Sequence, residues 1–259
     1  MSRKPDLRAI ASISLDADGD FDEVYVLGGL HSVGSLNSNI VDIKGSIDLQ
    51  GSLWANFVDV MGGCNIGADL IVENDIIIHG GVKTGGKLQG KSIVVSGGIK
   101  SREAIIGTKL DVKGGVSAVG DIKIEGPIEI LGGISSHGTI TAQSLSSIGG
   151  ITADKSVKVT GLIDARGKIE IGGDVDCDEF IFYVSSPSII HGKLQANKVR
   201  IMMDENAKVE AFLRVKEIVS PLRVDIDYVI AERIICPKAR IGENCRIGES
   251  IEKDYDPNY

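Results

Sequence analysis

The sequence predicts an all-β protein, a three-sided parallel β-helix, and three observations lead to that prediction. A short motif recurs through most of the 259-residue chain. Within each copy, apolar and polar residues alternate in steps of two, which is typical of a strand and unlike the three- and four-residue steps of an amphipathic helix. Glycine pairs separate many of the copies, at places where the chain would turn a corner between strands.

The motif is clearest at residues 51–60, and close copies occupy residues 34–43, 86–95 and 192–201. Alignment on the first residue of the motif extends the array to twelve copies, spaced by 16 to 19 residues. Their first residues are Gly34, Gly51, Ala68, Gly86, Glu103, Gly120, Gly138, Lys155, Gly173, Gly192, Ala211 and Asp227. Such spacings are typical of solenoids, in which each coil completes its core against its neighbours. We therefore expect about twelve coils of 17–18 residues.

Two apolar columns run through the aligned copies. The third residue of every copy is a branched aliphatic: Leu36, Leu53, Leu70, Leu88, Ile105, Ile122, Ile140, Val157, Val175, Leu194, Leu213 and Val229. A second column comprises Val41, Val58, Ile76, Ile93, Leu110, Ile128, Leu145, Leu162, Phe180, Val199, Ile218 and Ile234. Residues two apart on a strand share a face, so these columns and the mostly small residues two positions after the first predict layers of an inward-facing core.

The corners between sides are predicted from glycine pairs. These pairs occupy residues 28–29, 62–63, 80–81, 97–98, 114–115, 132–133 and 149–150. We expect glycine at these corners to adopt positive φ, which it does without steric cost. The outward position of Trp54 within its copy indicates that this side chain is on the surface and marks no site.

The regularity of the repeat divides the chain into three predicted segments. Residues 1–27 are predicted to be an N-terminal segment with a partial first coil. Residues 28–248 are predicted to form the β-helix, which is regular to about residue 173 and less regular afterwards. In that later part aromatic residues increase, Pro187 and Pro221 interrupt corners, and the spacing varies more. Residues 249–259 are predicted to be a polar C-terminal tail.

Composition narrows the functional classes. The net charge is −8 and basic residues alternate with acidic ones, which argues against nucleic acid as a partner. No apolar run approaches the roughly 18 residues that a membrane-spanning helix needs, and the first residues lack the apolar segment of a signal peptide. The cysteines lie far apart without C-x-x-C spacing, at Cys64, Cys177, Cys236 and Cys245. This pattern predicts reduced thiols and a cytoplasmic location.

No catalytic, cofactor-binding or metal-binding residue is predicted. Left-handed hexapeptide enzymes have coils of about 18 residues, but only residues 241–248 have their hexad pattern. His137 and His191 lie three coils apart, or about 14 Å at 4.8 Å a coil, which is too far to share a metal ion. The acidic residues 16–23 could supply oxygen ligands to calcium, but they do not fit an EF-hand loop and favour a solvated loop.

The repeated element resembles the bactofilins, most closely at residues 51–60, 138–145 and 192–201 and over residues 28–201 as a whole. This resemblance implies a right-handed, three-sided β-helix that polymerises end to end into non-polar cytoskeletal filaments without nucleotide. It also implies a scaffold that positions client proteins. Membrane association is left open. The alternative is a capped, non-polymerising β-helix that acts as a binding module or as an acyltransferase-like or carbonic-anhydrase-like enzyme of the hexapeptide type, with its site at residues 180–228.

The expected self-association residues lie at the ends of the array. An open solenoid end exposes unpaired backbone groups and an apolar cross-section, which can template a second copy of the chain. The candidates are Ile13, Val24 and Val26 at one end and Ile241 and Ile247 at the other. The partner that the residues themselves predict is therefore another copy of this chain.

Overall fold

A computed structural model describes residues 4–207 and 211–251, and all regular elements in these ranges are β-strands. The chain splits into two compact units, of which the first ends at Glu125 and the second begins at Gly126. Each unit is a parallel β-solenoid, and the two together contain about 14 turns. The prediction of an all-β parallel solenoid is confirmed. The number of turns exceeds twelve because coils also form before Gly34 and after the last copy of the motif.

The described residues of the N-terminal unit, 4–125, form sixteen strands. They are β1 (Leu7–Ala9), β2 (Ile13–Leu15), β3 (Gly19–Val26), β4 (Leu30–Ser32), β5 (Leu36–Ile43), β6 (Ile47–Leu49), β7 (Leu53–Val60), β8 (Cys64–Ile66), β9 (Leu70–Val72), β10 (Asp75–Ile78), β11 (Val82–Thr84), β12 (Leu88–Val95), β13 (Ile99–Ser101), β14 (Ile105–Val112), β15 (Val116–Ala118) and β16 (Ile122–Ile124). Strands begin at Leu7, so the segment before residue 28 carries all three sides of a coil.

Each coil of this unit has three sides. Sides one and two are the two halves of a long bent strand such as β5 or β7, and side three is a short separate strand such as β6 or β8. Every side pairs in parallel with the same side of the next coil, so that Leu36 lies beside Leu53, Val41 beside Val58 and Ile47 beside Cys64. This stacking forms the columns that the sequence alignment predicted.

The core of the N-terminal unit consists of these columns. The first predicted column is completely buried from Leu36 to Ile122, and the second is buried from Val41 to Leu110. Burying each such aliphatic side chain contributes about 1.5–3 kcal/mol relative to leaving it in water. Trp54 points outward and is 41% exposed, as predicted.

Buried hydroxyl groups at the end of side three were not predicted. The Ser32 hydroxyl donates to the Ala17 carbonyl at 3.2 Å and accepts from the Gly34 amide at 3.1 Å. The Ser101 hydroxyl likewise donates to the Gly86 carbonyl at 2.9 Å. These bonds satisfy backbone groups at corners where the sheet pattern stops, and an unsatisfied group there would be costly.

The expected role of the glycine pairs was wrong for most corners. Among the described glycines, only Gly150 and Gly167 have positive φ. The requirement is instead one of space, because the corners of successive coils lie directly over one another. A Cβ on Gly97 would lie 2.6 Å from the Gly80 carbonyl oxygen, whereas a Cβ on Gly63 would meet nothing closer than 3.8 Å. Glycine is thus required mainly at the first position of a pair.

Fourteen strands form in the C-terminal unit over its described residues, 126–207 and 211–251. They are β17 (Pro127–Ile130), β18 (Ile134–Ser136), β19 (Ile140–Ala142), β20 (Ser144–Ser147), β21 (Gly150–Ala153), β22 (Val157–Val159), β23 (Leu162–Ile171), β24 (Val175–Val184), β25 (Ser188–Met203), β26 (Leu213–Val219), β27 (Arg223–Ile226), β28 (Val229–Ile235), β29 (Ala239–Ile241) and β30 (Arg246–Ile251). Its strands lengthen up to β25, because neighbouring sides merge into continuous strands, and they are shorter again after β25.

The predicted columns fail at three points in this unit. Leu162 is 38% exposed, and its neighbour Ile163 takes the inward place beside Leu145. After Leu194 the first column continues through Ile218 and Ile234, which the sequence assigned to the second column.

Leu213 and Val229 lie one side away from their predicted place, because they stack on Ser188 at side three. The cause is a longer corner after β25, where the Asp204 carboxylate accepts from the Asn206 amide at 2.8 Å. Residues 208–210 of this corner lie outside the described chain. The added residues displace every later side relative to the repeat.

Candidate self-association edges

The first edge of the solenoid consists of β1, β2 and residues 19–21 at the start of β3. Within the described chain these segments pair on one side only, with β3, β4 and β5 respectively. Their inward side chains are incompletely covered: Leu7, Ala9, Ile13 and Leu15 are partly exposed. The equivalent side chains of the next coil, such as Leu30, are at most 1% exposed. We call these segments the N-terminal edge.

Only one of the three residues predicted for this end lies on the N-terminal edge. Ile13 is part of β2 and is partly exposed. Val24 and Val26 are completely buried, because Leu7 and Ala9 pair directly beside them. They could contact a second copy only if β1 were displaced. Sequence reasoning missed Leu7 and Ala9, since a three-residue strand after a polar start has too few residues to show a period.

The N-terminal edge is acidic. Lys4 and Arg8 are its cations, and they are engaged with Asp20 at 2.7 Å and with Glu23 at 2.9 Å. The Asp18 carboxylate accepts a hydrogen bond from the Ser35 amide at 2.6 Å. The acidic residues 16–23 therefore form a corner and the beginning of β3, where some carboxylates bind groups of the same or the next coil. Exposed carboxylates such as that of Asp16 dominate the surface of the edge.

The second edge consists of β29 and β30, which pair on one side only in the described chain, with β27 and β28. We call it the C-terminal edge. Ile241 is 38% exposed at the end of β29, and Ile247 is partly buried beside Ala231. Both residues predicted for this end thus lie at the edge. Residues 249–251 belong to β30 rather than to a tail, and residues 252–259 of the predicted tail lie outside the described chain.

The C-terminal edge is basic. Lys238, Arg240 and Arg246 are exposed, and none of them forms an ion pair with a residue that the structure describes. The carboxylates over residues 237–251 are those of Glu243 and Glu249, and Asp225 of β27 pairs beside Arg240. By contrast, Arg233 and Lys193 of the preceding coils both bind Glu217. Burial opposes ionisation of Glu217, but these two cations prevail and lower its pKa.

The histidines and acidic residues do not assemble into a metal centre within the described ranges. No group of three or more His, Cys, Asp and Glu side chains there could hold a metal ion. His137 instead lies 2.8 Å from the Asp154 carboxylate of the next coil, and His31 lies 3.4 Å from that of Asp48. These pairs are exposed and bridge neighbouring coils.

A groove on side one of the C-terminal unit overlaps the region to which the enzyme alternative assigned its site. Its lining includes Lys158, Asp176, Cys177, Gln195 and Cys236 but no histidine. Burial raises the pKa of the Cys177 thiol to about 12, and the nearby carboxylates of Asp176, Asp178 and Glu179 act in the same direction. A thiol in this state is a poor nucleophile, since the thiolate is the reactive form.

Comparison with protein-family models, with curated proteins and with solved structures found no match to this chain. Within residues 4–207 and 211–251 there is also no helix of the length and apolarity needed to cross a membrane. The two edges are therefore the features of the molecule from which its function is inferred.

The cysteines are expected to differ in reactivity towards a thiol reagent such as iodoacetamide. Cys64 is completely buried, and burial raises its pKa to about 12. Cys245 is only partly buried at the C-terminal edge, and burial raises its pKa as well. We expect Cys245 to be the first to react in the native protein at about pH 8.5, near the ordinary pKa of a thiol, and Cys64 and Cys177 to react only after unfolding. Peptide mass spectrometry would measure this order, and labelling of Cys64 at the same rate would contradict its burial.

Proposed function

We propose that this protein is a structural scaffold that assembles end to end, without nucleotide, in the manner of a bactofilin-like cytoskeletal polymer. The observation that carries the proposal is the pair of edges. The strands of each edge pair on one side only. Their apolar side chains are partly exposed, whereas the equivalent side chains of the neighbouring coil are buried. Such an edge is a template for a further strand unless it is shielded.

Two properties of the edges support self-assembly rather than a shielded end. Devices that natural proteins use against edge pairing include a covering helix and proline in the edge strand, and the strands of the two edges contain no proline. The described residues over each edge also contain no helix. The scaffold would position client proteins on its outward faces, as the resemblance in the repeat implies.

The direct test is negative-stain electron microscopy of the purified chain without nucleotide or metal. We expect filaments or sheets of uniform width. Deletion of residues 252–259 tests whether the tail shields the C-terminal edge, and the truncated chain should assemble at least as readily as the full chain. A monodisperse monomer of 27.4 kDa at high protein concentration, with and without the tail, would overturn the proposal and favour a capped binding module.

Substitution at an edge should weaken assembly selectively. Ile241→Asp places a charge in the contact, and we expect it to raise the protein concentration needed for assembly at least about tenfold, because about 1.4 kcal/mol of lost contact energy suffices for that factor. The matched control is Leu131→Asp, which alters another exposed aliphatic residue, 59% exposed and outside both edges. Sedimentation at graded protein concentrations measures both. Equal effects of the two substitutions would show that the edge is not the contact.

A further inference from the structure

We propose that assembly is head to tail: the N-terminal edge of one copy binds the C-terminal edge of the next, so that the polymer is polar. This inference rests on the proposed function and specifies which edge is the partner of which. It differs from the non-polar filaments that the resemblance implies. The opposite charges of the two edges carry it, and the sizes of their apolar side chains are compatible with it.

The charges of the two edges are opposite. Over residues 4–23 two cations stand against six carboxylates, a net charge of −4. Over residues 237–251, which end with β30, three cations stand against two carboxylates, a net charge of +1. A two-fold contact would join two identical edges and would bring like charges together, whereas a heterologous contact joins opposite charges. The chain as a whole is acidic, so the basic C-terminal edge is not a consequence of overall composition.

The apolar side chains of the edges also fit each other. If a second copy continues the solenoid in register, side two of its first coil stacks on β29, and Leu7 then lies over Ala239 while Ala9 lies over Ile241. Each layer would hold one large and one small side chain, which fills the space between coils without overpacking. On side three, Leu15 would lie over Ile247. A two-fold contact could equally place Ala239 over Ile241 of the partner, so the sizes of the side chains permit the head-to-tail contact and the charges select it.

The same register places opposite charges together. Lys238 and Asp6 each immediately precede the side-two strand of their edge, so they would be direct neighbours. Arg246 would lie beside Ser14, within reach of the exposed Asp16. Arg8 would lie beside Arg240, but Arg8 is already bound to Glu23 at 2.9 Å and faces Asp6 at 3.7 Å. The carboxylates around Arg8 offset that pair. On side one the same register places Asp18 beside Glu249, a second pair of like charge.

A native cysteine makes the proposal testable by cross-linking. Cys245 immediately precedes β30, in the column of Val229, and would lie over Ile13 of the next copy. Adjacent parallel strands are about 4.8 Å apart, which is within the Cα separation of about 4.4–6.8 Å that a disulfide tolerates. Under a mild oxidant, two thiols facing each other lose two protons and two electrons to the oxidant and form the disulfide.

Three forms of the full chain separate the possible contacts. In the Ile13→Cys variant, head-to-tail contacts place the introduced thiol over Cys245, and we expect a ladder of covalent oligomers on non-reducing electrophoresis. In the unsubstituted chain only tail-to-tail contacts would join two Cys245 thiols. In the Ile13→Cys, Cys245→Ser variant only head-to-head contacts would form a disulfide. We expect the last two forms to assemble but to remain monomers after denaturation without reductant.

Dimers from either of those two forms would overturn the head-to-tail contact. So would assembly of the Ile13→Cys variant without any cross-link. Absence of polymers from the unsubstituted chain would instead refute the proposed function, so the two failures are distinguishable. The other cysteines give little background, because Cys64, Cys177 and Cys236 are buried.

Charge reversal tests the same contact without cysteine. One variant carries Asp6→Lys and Asp16→Lys, and the other carries Lys238→Glu and Arg246→Glu. In a head-to-tail contact each variant alone opposes like charges and should need at least about tenfold more protein to assemble, whereas their equimolar mixture should assemble at nearly the normal concentration. Added salt should weaken assembly of the unsubstituted chain. Unimpaired assembly of each variant alone, or assembly that salt strengthens, would contradict the proposal.

Discussion

Replacement of Ile122 by aspartate is expected to unfold the solenoid around it. Ile122 is 0% exposed and stacks beside Ile105 in the first apolar column. An aspartate there must either bury a charge without a partner or become protonated, and it also removes the contacts of a large aliphatic side chain. Together these costs exceed about 4 kcal/mol, which approaches the whole stability of many domains, about 5–15 kcal/mol.

The control is the neighbouring residue on the opposite face of the strand. Lys123 is exposed and pairs with Asp121 at 2.9 Å, and loss of such a surface pair costs at most about 1 kcal/mol. We therefore expect Lys123→Asp to keep a normal circular-dichroism spectrum and a urea midpoint near that of the unsubstituted chain, while Ile122→Asp is insoluble or loses its strand signal. A soluble, folded Ile122→Asp protein with an unchanged urea midpoint would show that Ile122 does not face the core.

Replacement of Gly85 by alanine is expected to have the second largest effect on stability. An added Cβ would lie 1.8 Å from the Gly67 carbonyl oxygen and 2.6 Å from its carbon. Both atoms belong to the backbone of the preceding coil, and the Gly85 amide is itself bonded to the Ile66 carbonyl at 2.8 Å. The two coils would have to move apart at this corner. We expect a loss of about 3 kcal/mol, at the upper end of the usual cost of overpacking.

Gly63→Ala is the matched control for this prediction. Its Cβ would meet only the Gly81 carbonyl oxygen, at 3.8 Å, and its φ is not in the positive range. Alanine there restricts the unfolded chain without a clash, so its effect should be neutral or stabilising by about 0.4–1 kcal/mol. Urea unfolding of the two variants measures the difference. Equal stability of Gly85→Ala and Gly63→Ala would mean that the coils are not in such close contact.

The sequence was sufficient to predict the core of the N-terminal unit. Between Leu36 and Ile122 the spacing stays at 17 or 18 residues, and each side alternates between apolar and polar residues. A shift of one residue would turn the apolar residues outward, so the pattern admits a single register there. The small residues between the large ones were predicted for the same reason.

The sequence was insufficient to predict the core positions where the length of a corner varies. After Leu194, aliphatic residues recur often enough that Leu213 and Ile218 both fit an inward position of the same column. Pattern alone cannot decide between them, because a corner may take up extra residues without changing the alternation of the strands that follow. The longer corner after β25 placed Ile218 beside Leu194 and moved Leu213 to side three.

The residues of the two candidate edges were predicted only in part, because the apolar pattern identifies inward positions but not which coil is outermost. Ile13, Ile241 and Ile247 were identified because they continue the apolar pattern to the extremes of the array. The pattern does not show which coil is the last to be covered, and so it could not show that β1 covers Val24 and Val26. The opposite charges of the two edges were present in the sequence, but they acquire meaning only when the strands bring the acidic residues to one edge and the unpaired cations to the other.

The sequence by itself determined that this protein is an all-β solenoid and which residues fill most of its core, because strand alternation and a nearly constant period are local properties of the chain. Only the tertiary structure decided the order of sides after Leu194, the reason for glycine at the corners and the composition of the edges. These features depend on which residues of one coil lie over which residues of the next. Such residues are about one coil apart in sequence. Their exact separation is set by the lengths of the corners, which the apolar pattern does not constrain.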